Sequence, residues 1–320
     1  MVGGRPDRED GSGLRQVDRL RLSVTDACDL GCSYCMPAGG PSKRRDGRAL
    51  TMAEKAWIAK VLVERCGIRS VRLTGGEPLV ATGLPDLVGA LARLGLDDLA
   101  ITTNGQRLER AARDLAGRGL RRVNVSLDSL DPATYRGITG SGDLARTIEG
   151  IDAALDAGLV PVKINTVVMR GINDGELVDL ACFGLARGCE VRFLELMPVG
   201  VVRFAHPRLF VPRDEMMRSL RERLDLDPVA GERGSTARVF EARGPGGLRG
   251  RVGMVSPQSA PFCESCGRLR LSAGGQLLGC LHAASGVDVL PAVRSAGGPD
   301  EASLVGRFRE AVSLKPASRC

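Results

Sequence analysis

The sequence predicts an α/β protein that folds as a partial, TIM-like (β/α)6 barrel, with a smaller C-terminal domain that closes the barrel opening. Three observations lead to this prediction. Short runs rich in β-branched residues alternate with helical segments, the pattern of parallel strands joined by right-handed crossovers. Six such units are fewer than the eight of a closed barrel. Aromatic residues make up only 3% of the chain, so the core must be aliphatic, as in buried parallel sheets.

The strands and helices of the predicted barrel follow one another from residue 18 onward. A capping box at Thr51 and Glu54 begins the first helix, which Gly67 closes. The last helix of the barrel is expected to begin behind Asn173 and to end at Gly188. The strands are predicted over residues 18–25, 71–73, 99–103, 123–127, 162–168 and 191–195, and the helices over residues 52–67, 84–94, 107–118, 143–157 and 174–187.

Changes in composition divide the chain into three parts. Residues 1–17 are rich in Gly, Arg and Asp without periodicity, so we expect a disordered segment there. The barrel is predicted over residues 18–225, with a final helix over residues 214–224. Residues 226–320 are expected to form the C-terminal domain, which begins with a Gly- and Arg-rich stretch and a hairpin around residues 244–250.

The charge balance favours anionic partners. Lys and Arg number 45 against 38 Asp and Glu, which gives a net charge of +7. Nucleic acid, a phosphorylated small molecule and a merely basic surface all remain open on this evidence. No apolar run is long enough for a membrane span, and the N-terminus lacks the apolar core of a signal peptide. We therefore expect a cytoplasmic protein whose cysteines bind metal instead of forming structural disulfides.

Three cysteines at C-x3-C-x2-C spacing follow the first predicted strand. Cys28, Cys32 and Cys35 lie in a short loop broken by Gly31, which can turn three soft thiolates toward one centre. A four-iron cluster held by three thiolates keeps one iron open for another ligand. The alternatives are a zinc loop or three unrelated buried thiols, but no fourth Cys or His follows within the next thirty residues.

A second cysteine triplet lies near the end of the chain. Cys263, Cys266 and Cys280 are followed by His282, so a Cys3His zinc site and a second iron–sulfur cluster are both possible on spacing alone. Arg268 and Arg270 follow at alternate positions, where their guanidinium groups would bind an anion held at the metal. A structural zinc site would not need these arginines, and two solvated arginines are the plain alternative.

Polar, glycine-bearing segments occur where the predicted strands end. In a parallel barrel the carboxyl ends of the strands share one mouth, which is where active sites are found. Each segment alone reads equally well as an ordinary turn between strand and helix. Five in series favour a shared site, over residues 74–78, 102–105, 126–129, 165–166 and 195–198.

The first cysteine loop, with Tyr34 before its last cysteine, resembles that of the radical S-adenosylmethionine (SAM) superfamily. In that superfamily the amine and carboxylate of SAM chelate the open iron, and reduction cleaves SAM to a 5'-deoxyadenosyl radical. The resemblance therefore implies a 4Fe-4S cluster on Cys28, Cys32 and Cys35, with SAM as cofactor. The spacing by itself implies only a cluster.

A larger set of motifs resembles the GTP 3',8-cyclase family of molybdenum cofactor biosynthesis. The motifs are TGGEP, SLDSLDP, GITG, PVKINTVVMRG, RFLELMPVG and FCxxCGRLRL, and the resemblance covers roughly residues 18–316. It implies an incomplete (β/α)6 barrel and a second 4Fe-4S cluster, on Cys263, Cys266 and Cys280, that binds the base of GTP. The implied reaction is removal of the ribose 3' hydrogen followed by addition of the carbon radical to C8, which gives 3',8-cyclo-7,8-dihydro-GTP.

The same resemblance assigns site residues and partners. A nucleotide with about four negative charges needs several cations, of which Arg gives paired contacts and Lys a point charge. The implied partners are GTP, a reductant such as flavodoxin or ferredoxin, a downstream cyclic pyranopterin monophosphate synthase and a second copy of the chain, with no nucleic acid and no membrane. The SAM site is assigned to Tyr34, Gly75, Gly76, Glu77, Ser126 and Met197. The GTP site is assigned to Arg21, Arg72, Thr102, Lys163, Arg192, Arg268, Leu269 and Arg270. The residues assigned to catalysis are Cys28, Cys32 and Cys35, together with Arg268 and Arg270.

Departures from the family pattern keep two alternatives open. Ser70 stands where Lys is usual, Gly267 replaces an Asn, and the chain ends at Cys320 where the family carries a Gly-Gly tail. One alternative is a relative with the same fold and two clusters that acts on another nucleotide or a peptide in specialised metabolism. The other is a non-catalytic zinc or nucleotide-binding module.

Overall fold

A computed structural model describes residues 16–35, 49–202, 204–230, 235–283 and 285–316. Residues 1–15 of the predicted disordered segment and Cys320 lie outside these ranges. Val17, which was predicted to belong to that segment, is buried in the core. No helix within the described ranges is long and apolar enough to cross a lipid bilayer.

Six parallel strands form the centre of the sheet and lie side by side in chain order. The predicted partial (β/α)6 arrangement is therefore confirmed, and the predicted strand limits agree with the structure to within two residues. The strands are β1 (Arg19–Ser23), β2 (Ser70–Thr74), β3 (Asp98–Thr103), β4 (Arg122–Ser126), β5 (Lys163–Val168) and β6 (Glu190–Glu195).

The helices lie outside the sheet, and the first shows how the sequence sets their limits. The Thr51 side chain accepts a hydrogen bond from Glu54 N–H, the Glu54 carboxylate accepts one from Thr51 N–H, and Gly67 ends the helix in the left-handed conformation. The predicted capping box is confirmed. The helices are α1 (Met52–Cys66), α2 (Leu84–Ala92), α3 (Leu108–Gly117), α4 (Pro132–Thr139), α5 (Leu144–Asp156), α6 (Leu177–Ala186), α7 (His206–Leu209), α8 (Arg213–Arg221), α9 (Leu290–Val293) and α10 (Glu301–Ser313).

The helices differ from the prediction in two ways. Helices α4, α7, α9 and α10 are additional to the predicted helices, and α6 begins only after a 3-10 turn. The helical segment begins directly behind Asn173, as expected, but its first turn is 3-10 and the Asn173 side chain does not cap it. The Asn173 amide donates instead to Asp128 O and Val167 O, and its oxygen accepts from Met169 N–H. Asn173 therefore joins β5 to the loop after β4, and α6 starts later in the chain.

The C-terminal part extends the sheet at both edges. Strand β9 pairs in parallel with β6, and β10 pairs in parallel with β1. The predicted hairpin is confirmed as β8 and β9. The sheet order is β12-β11-β10-β1-β2-β3-β4-β5-β6-β9-β8-β7. The added strands are β7 (Asp225–Pro228), β8 (Arg238–Arg243), β9 (Arg249–Val255), β10 (Arg268–Leu271), β11 (Gln276–Leu278) and β12 (Val287–Asp288).

The two faces of the central strands differ in chemistry. On β1, Leu20 and Leu22 are buried in the aliphatic core beneath the helices, whereas Arg19 and Arg21 alternate with them on the other face. The same alternation holds on β2 and β10. The helix side of the sheet is therefore apolar, and the barrel interior is polar and strongly basic.

Candidate active site

The first cysteine loop follows β1 at the carboxyl end of the parallel strands. Main-chain hydrogen bonds join it to the segment after β2. Gly76 N–H donates to Thr25 O at 2.7 Å, and Glu77 N–H donates to Ala27 O at 2.8 Å. The entry to the loop is thus held by the protein itself.

Two glycines permit this close approach. A Cβ atom on Gly75 would lie 2.3 Å from Thr25 O, and one on Gly76 would lie 2.2 Å from Ala27 O. Gly75 also has a φ of +149°, which favours glycine. A larger residue at either position would push the cysteine loop away from β2, so these two predicted SAM-site residues also position the loop.

Glu77 joins the ends of β2 and β3. Its carboxylate is 1% exposed and accepts hydrogen bonds from Thr103 Oγ1 at 2.7 Å, Asn104 N–H at 2.7 Å and Leu79 N–H at 2.9 Å. Burial raises the pKa of Glu77 to about 7, against the effect of these donors. All three donors are groups of the protein, so the Glu77 carboxylate links the ends of β2 and β3 in this structure.

Tyr34 is oriented by the segment that follows β4. The Tyr34 hydroxyl donates to Asp128 Oδ2 at 2.8 Å, and Val167 N–H donates to Asp128 Oδ1 at 2.8 Å. Asp128 is 2% exposed, and burial raises its pKa to about 6. Asp128 thus links the cysteine loop to β5 through one carboxylate.

The donor set of the first loop fits an iron–sulfur cluster. Cys28, Cys32 and Cys35 form no disulfide, and they stand in one loop at the barrel mouth. Burial raises the pKa of all three thiols, that of Cys32 to about 12. Iron binding would therefore displace protons from these thiols. Within the described ranges, no group of three or more His, Cys, Asp or Glu side chains converges on a single metal ion.

The second triplet lies at the opposite end of β1, because Cys266 precedes β10 and β10 runs parallel to β1. Burial would raise the pKa of the Cys266 thiol, but Arg268 and Lys315 outweigh it and lower this pKa to about 7. Arg268 Nε lies 3.4 Å from Cys266 Sγ. His282 is exposed, and it does not converge with two or more other His, Cys, Asp or Glu side chains on a metal position within the described ranges. A soft thiolate set flanked by cations fits a cluster with an anionic ligand.

Gly267, one of the departures from the family pattern, has a local cause. A Cβ atom there would lie 2.6 Å from Asp18 Oδ1 and 3.3 Å from Gln16 O. Asp18 N–H and Arg19 N–H both donate to Gly267 O at 3.1 Å. The residue before β10 is therefore in close contact with the chain before β1, and only glycine fits without displacement.

A cavity of about 420 Å³ lies inside the barrel, at the amino-terminal halves of the strands. This volume is in the range of small-molecule sites. Arg268 lines the cavity and also contacts Cys266, so this arginine connects the cavity to the second cysteine triplet. The cavity is lined by Asp18, Arg19, Leu20, Arg21, Arg69, Ser70, Arg72, Asp97, Asp98, Arg122, Lys163, Arg192, Ser235, Thr236 and Arg268.

Four arginines lie in one transverse row across neighbouring strands. Arg270 is the register partner of Arg21, Arg21 of Arg72, and Ala100 joins Arg72 to Arg122. Like charges at directly opposed positions repel one another. Arg122 is paired with Asp98 at 2.7 Å, but neither Arg21 nor Arg72 has a carboxylate ion-pair partner among the described residues.

Burial and mutual repulsion of the arginines in this row favour the binding of an anion beside them. Burial lowers the pKa of Arg21, and Arg270, Arg268 and Arg72 lower it further. Burial and the neighbouring arginines lower the pKa of Arg72 to about 10, and Arg72 Nε is buried without a hydrogen-bond acceptor in the described part of the chain. A bound polyanion would supply both the acceptor and the charge.

Lys163 and Arg192 share one carboxylate. Glu190 Oε2 lies 3.1 Å from Lys163 Nζ, and Glu190 Oε1 accepts from Arg192 Nε. Burial would raise the pKa of Glu190, but Arg192 and Lys163 lower it. Both predicted substrate residues therefore enter the cavity with a partner already in place, which explains how charged residues are tolerated on these strands.

Four other predicted site residues lie in different places. Thr102 and Ser126 lie at the carboxyl ends of β3 and β4, and Met197 follows β6. The Leu269 side chain is fully buried in the aliphatic core, on the opposite face from Arg268 and Arg270, so it does not reach the cavity. Residues 165–166, predicted at a strand end, lie within β5.

Asp98 and Arg122 in the cavity and Glu190 beside it were not predicted from the sequence. Asp128 lies in the predicted strand-end segment 126–129, but its contact with Tyr34 was not predicted. Charged residues that alternate with apolar ones along β3, β4 and β6 would have indicated the first three, because such a period places them inside the barrel. No local sequence signal distinguishes the role of Asp128.

Comparison with known proteins agrees with this geometry. Residues 22–183 match the family model described as the Radical SAM superfamily, and residues 189–319 match the one described as Molybdenum Cofactor Synthesis C. In fold, the chain is similar to SuiB of Streptococcus suis, with a TM-score of 0.62 at 14% identity over 94% of this chain and 67% of that one.

Relatives of higher identity cover nearly the whole chain. One is a GTP 3',8-cyclase of Alkaliphilus oremlandii, 42% identical over 282 residues, which is 88% of this chain and 86% of that protein. Another is a GTP 3',8-cyclase of Moorella thermoacetica, 42% identical over 304 residues, which is 95% of this chain and 92% of that protein. The chain therefore belongs to the GTP 3',8-cyclase family of the radical SAM superfamily.

Proposed function

We propose that this protein is a GTP 3',8-cyclase, a lyase that converts GTP to 3',8-cyclo-7,8-dihydro-GTP in molybdenum cofactor biosynthesis. The observation that carries the proposal is the row of arginines inside the barrel, with Arg72 Nε buried and lacking an acceptor in the described part of the chain. A triphosphate supplies the acceptors and the charge that this row requires. The relatives at about 40% identity act on the same class of substrate.

The predicted substrate residues would bind different parts of the nucleotide. Arg21, Arg72, Lys163 and Arg192 would bind the phosphates, since they lie in the cavity with more positive charge than Glu190 offsets. Arg268 and Arg270 lie nearest the second triplet and would place the base beside it. Thr102 would hold the ribose, and Leu269 supports the two arginines from the core without reaching the cavity.

We further propose that each cysteine triplet holds one 4Fe-4S cluster. The first, on Cys28, Cys32 and Cys35, would bind SAM, which on reduction supplies the 5'-deoxyadenosyl radical. Strand β1 separates the two triplets, and a strand of its five residues spans on the order of 16 Å. A nucleotide between them would place its base toward one triplet and its ribose toward the other, so orientation is the main contribution of the barrel.

The SAM site would be formed by residues at the carboxyl ends of the strands. Gly75 and Gly76 keep the loop against β2, Tyr34 is oriented by Asp128, and Ser126 and Met197 would contact the cofactor. Glu77 would act through the position of Asn104 and the loop. We also propose a one-electron reductant such as flavodoxin or ferredoxin, a downstream cyclic pyranopterin monophosphate synthase, a homodimer and a cytoplasmic location.

The proposal is tested by anaerobic incubation with SAM, dithionite and one nucleotide at a time. With GTP we expect a new chromatographic peak of unchanged mass, together with an equivalent of 5'-deoxyadenosine. The hydrogen atom that leaves the ribose with 5'-deoxyadenosine is replaced, because the cyclised radical gains one electron from the reductant and one proton. ATP should give neither product at a comparable rate. Formation of 5'-deoxyadenosine at the same rate with every nucleotide, and no new GTP isomer, would reject GTP as the substrate and favour a relative with another substrate.

A further inference from the structure

Lys315 connects the two chain segments that carry Cys266 and Cys280. Its Nζ donates to Arg268 O at 2.7 Å and to Gly279 O at 2.7 Å. Arg268 lies two residues after Cys266, and Gly279 lies directly before Cys280. One ammonium group therefore fixes the separation of two segments of the second triplet.

The backbone of Lys315 is itself fixed by helix α10. Leu304, Phe308, Ala311 and Val312 are buried, and Lys315 N–H donates to Val312 O at 3.1 Å. The ammonium therefore extends from a well-anchored helix end. The position of the second triplet is in this way coupled to the core.

Gly279 is shaped to receive this helix end. A Cβ atom on Gly279 would lie 2.7 Å from Lys315 Cγ and 2.9 Å from Ala311 O. The Ala311 carbonyl is part of the backbone of α10, so it cannot move aside as the end of a flexible side chain could. Glycine directly before Cys280 thus allows Lys315 to reach both carbonyls.

Lys315 also adds positive charge beside the thiols. Its Nζ lies 3.9 Å from Cys266 Sγ, and Arg268 Nε lies 3.4 Å from the same sulfur. Three thiolates drawn to one cluster repel one another, and nearby cations offset this repulsion. Such cations also favour the reduced, more negative state of a cluster over its oxidised state.

We propose that Lys315 is a positioning residue for the second 4Fe-4S cluster. Lys315 holds Cys266 and Cys280 at the separation that the cluster requires, and its charge raises the reduction potential of the cluster. The inference depends on the proposed function only in that the second triplet must bind a cluster. It assigns a role to a residue outside both cysteine motifs and outside the cavity. Lysine suits the role, because one ammonium can donate to several acceptors.

The test isolates the second site in the full-length chain by replacing Cys28, Cys32 and Cys35 with Ser. Lys315→Met and Lys315→Arg are compared in this background, and Lys60→Met, an exposed lysine on α1, is the matched control. After anaerobic reconstitution, iron and sulfide are counted, cluster loss to a chelator is timed, and the midpoint potential is measured. Thermal unfolding of the cluster-free variants checks that each folds.

We expect Lys315→Met to lose its cluster about 10-fold faster than the background, or more, as for other residues that support metal ligands. Its midpoint potential should become more negative, and Lys315→Arg should restore the potential in part. Lys60→Met should match the background. Equal loss rates and equal potentials for the Lys315→Met and Lys60→Met proteins would overturn the inference, whereas a background that binds no iron would reject the second cluster itself and the inference with it.

Discussion

Two arginines inside the barrel, Arg21 and Arg72, are arranged in a way that does not favour the stability of the protein. Arg21 and Arg72 are register partners, and the pKa of each guanidinium is lowered by burial and by other arginines. Such an arrangement costs folding free energy in the absence of an anion. Binding sites commonly carry this kind of cost.

Replacement of Arg72 tests this interpretation. We expect Arg72→Met to weaken GTP binding to the cluster-free chain at least about 10-fold, since a charge-assisted contact contributes about 1.5–3 kcal/mol. The melting temperature should stay the same or rise, because a repelled buried charge is removed. Isothermal titration and thermal unfolding measure the two effects, with exposed Arg110→Met on α3 as the control. A lower melting temperature with unchanged GTP affinity would show that Arg72 is structural.

Asp128 is expected to act through Tyr34. In Asp128→Asn the remaining oxygen can still accept from Val167 N–H, and the Tyr34 hydroxyl then accepts from the amide instead of donating to a carboxylate, so the charge-assisted hydrogen bond is lost. We expect the rate of 5'-deoxyadenosine formation to fall 10- to 100-fold, the range found for residues that orient metal ligands. The rate should fall less for Tyr34→Phe, which removes only the hydroxyl. An unchanged rate in Asp128→Asn would mean that the orientation of Tyr34 does not affect SAM.

At the level of elements, the sequence predicted those whose signals are local. The limits of α1 follow from the Thr51–Glu54 capping box and Gly67, and the strands follow from alternation of apolar residues. Helix α4 also carries a local signal, since Asp131 accepts from Thr134 N–H, Pro132 is the first residue and Gly140 follows the last. The side-chain role of Asn173 was missed because its partners lie on β5 and after β4, which no local pattern reveals.

Helix α1 is joined to the C-terminal part through Glu54. Arg294, after α9, donates to the Glu54 carboxylate, and this contact holds the pKa of Glu54 at about 2, below its ordinary value of 4.5. A lowered carboxyl pKa stabilises the folded state above pH 4.5, and the contribution is lost as the pH falls toward 2. The ion pair is therefore expected to matter at neutral pH.

We expect Glu54→Gln to lower the free energy of unfolding of the cluster-free chain by about 1 kcal/mol at pH 7 and by roughly half of that or less at pH 3. Glutamine still completes a capping box, so the pH-dependent part of the loss in unfolding free energy comes from the ion pair with Arg294. Denaturant unfolding at the two pH values measures the difference. Glu64→Gln, an exposed residue of the same helix, is the control. An equal loss at both pH values would remove the ion pair from the explanation.

At the level of the whole molecule, the C-terminal part is continuous with the barrel sheet. Strands β9 and β10 cover the free edges of β6 and β1, and Glu195 at the end of β6 accepts from Gln258 N–H and Ser259 N–H at 2.8 and 2.9 Å. The predicted division at residue 225 stays a prediction, because a sheet that crosses it does not say whether either part folds alone.

Truncation tests that division. A chain that ends after Leu224 would expose both edges of the parallel sheet, and exposed edges promote aggregation. We expect this fragment to be insoluble or aggregated by size-exclusion chromatography. A chain that lacks only residues 317–320 keeps every strand and should stay folded. A soluble, cooperatively unfolding fragment of residues 1–224 would support two independent domains.

The site could be predicted only in part because its residues converge through sheet register. The cysteine spacings and the RLR segment were visible in the sequence, and Arg21, Arg72, Lys163, Arg192 and Arg268 all line one cavity. Leu269 was assigned with its neighbours, but alternation along β10 turns its side chain into the core. Lys315 reaches the second triplet through helix α10, a contact that depends on tertiary packing alone.

The central claim is that the nucleotide lies in the basic cavity with its ribose directed toward the first cysteine loop. The most direct measurement is anaerobic turnover of GTP that carries deuterium at the ribose C3', followed by mass spectrometry of both products. We predict 5'-deoxyadenosine that is one mass unit heavier and a cyclic nucleotide that is one unit lighter than the labelled GTP. Unlabelled 5'-deoxyadenosine, with the GTP recovered intact, would contradict the claim.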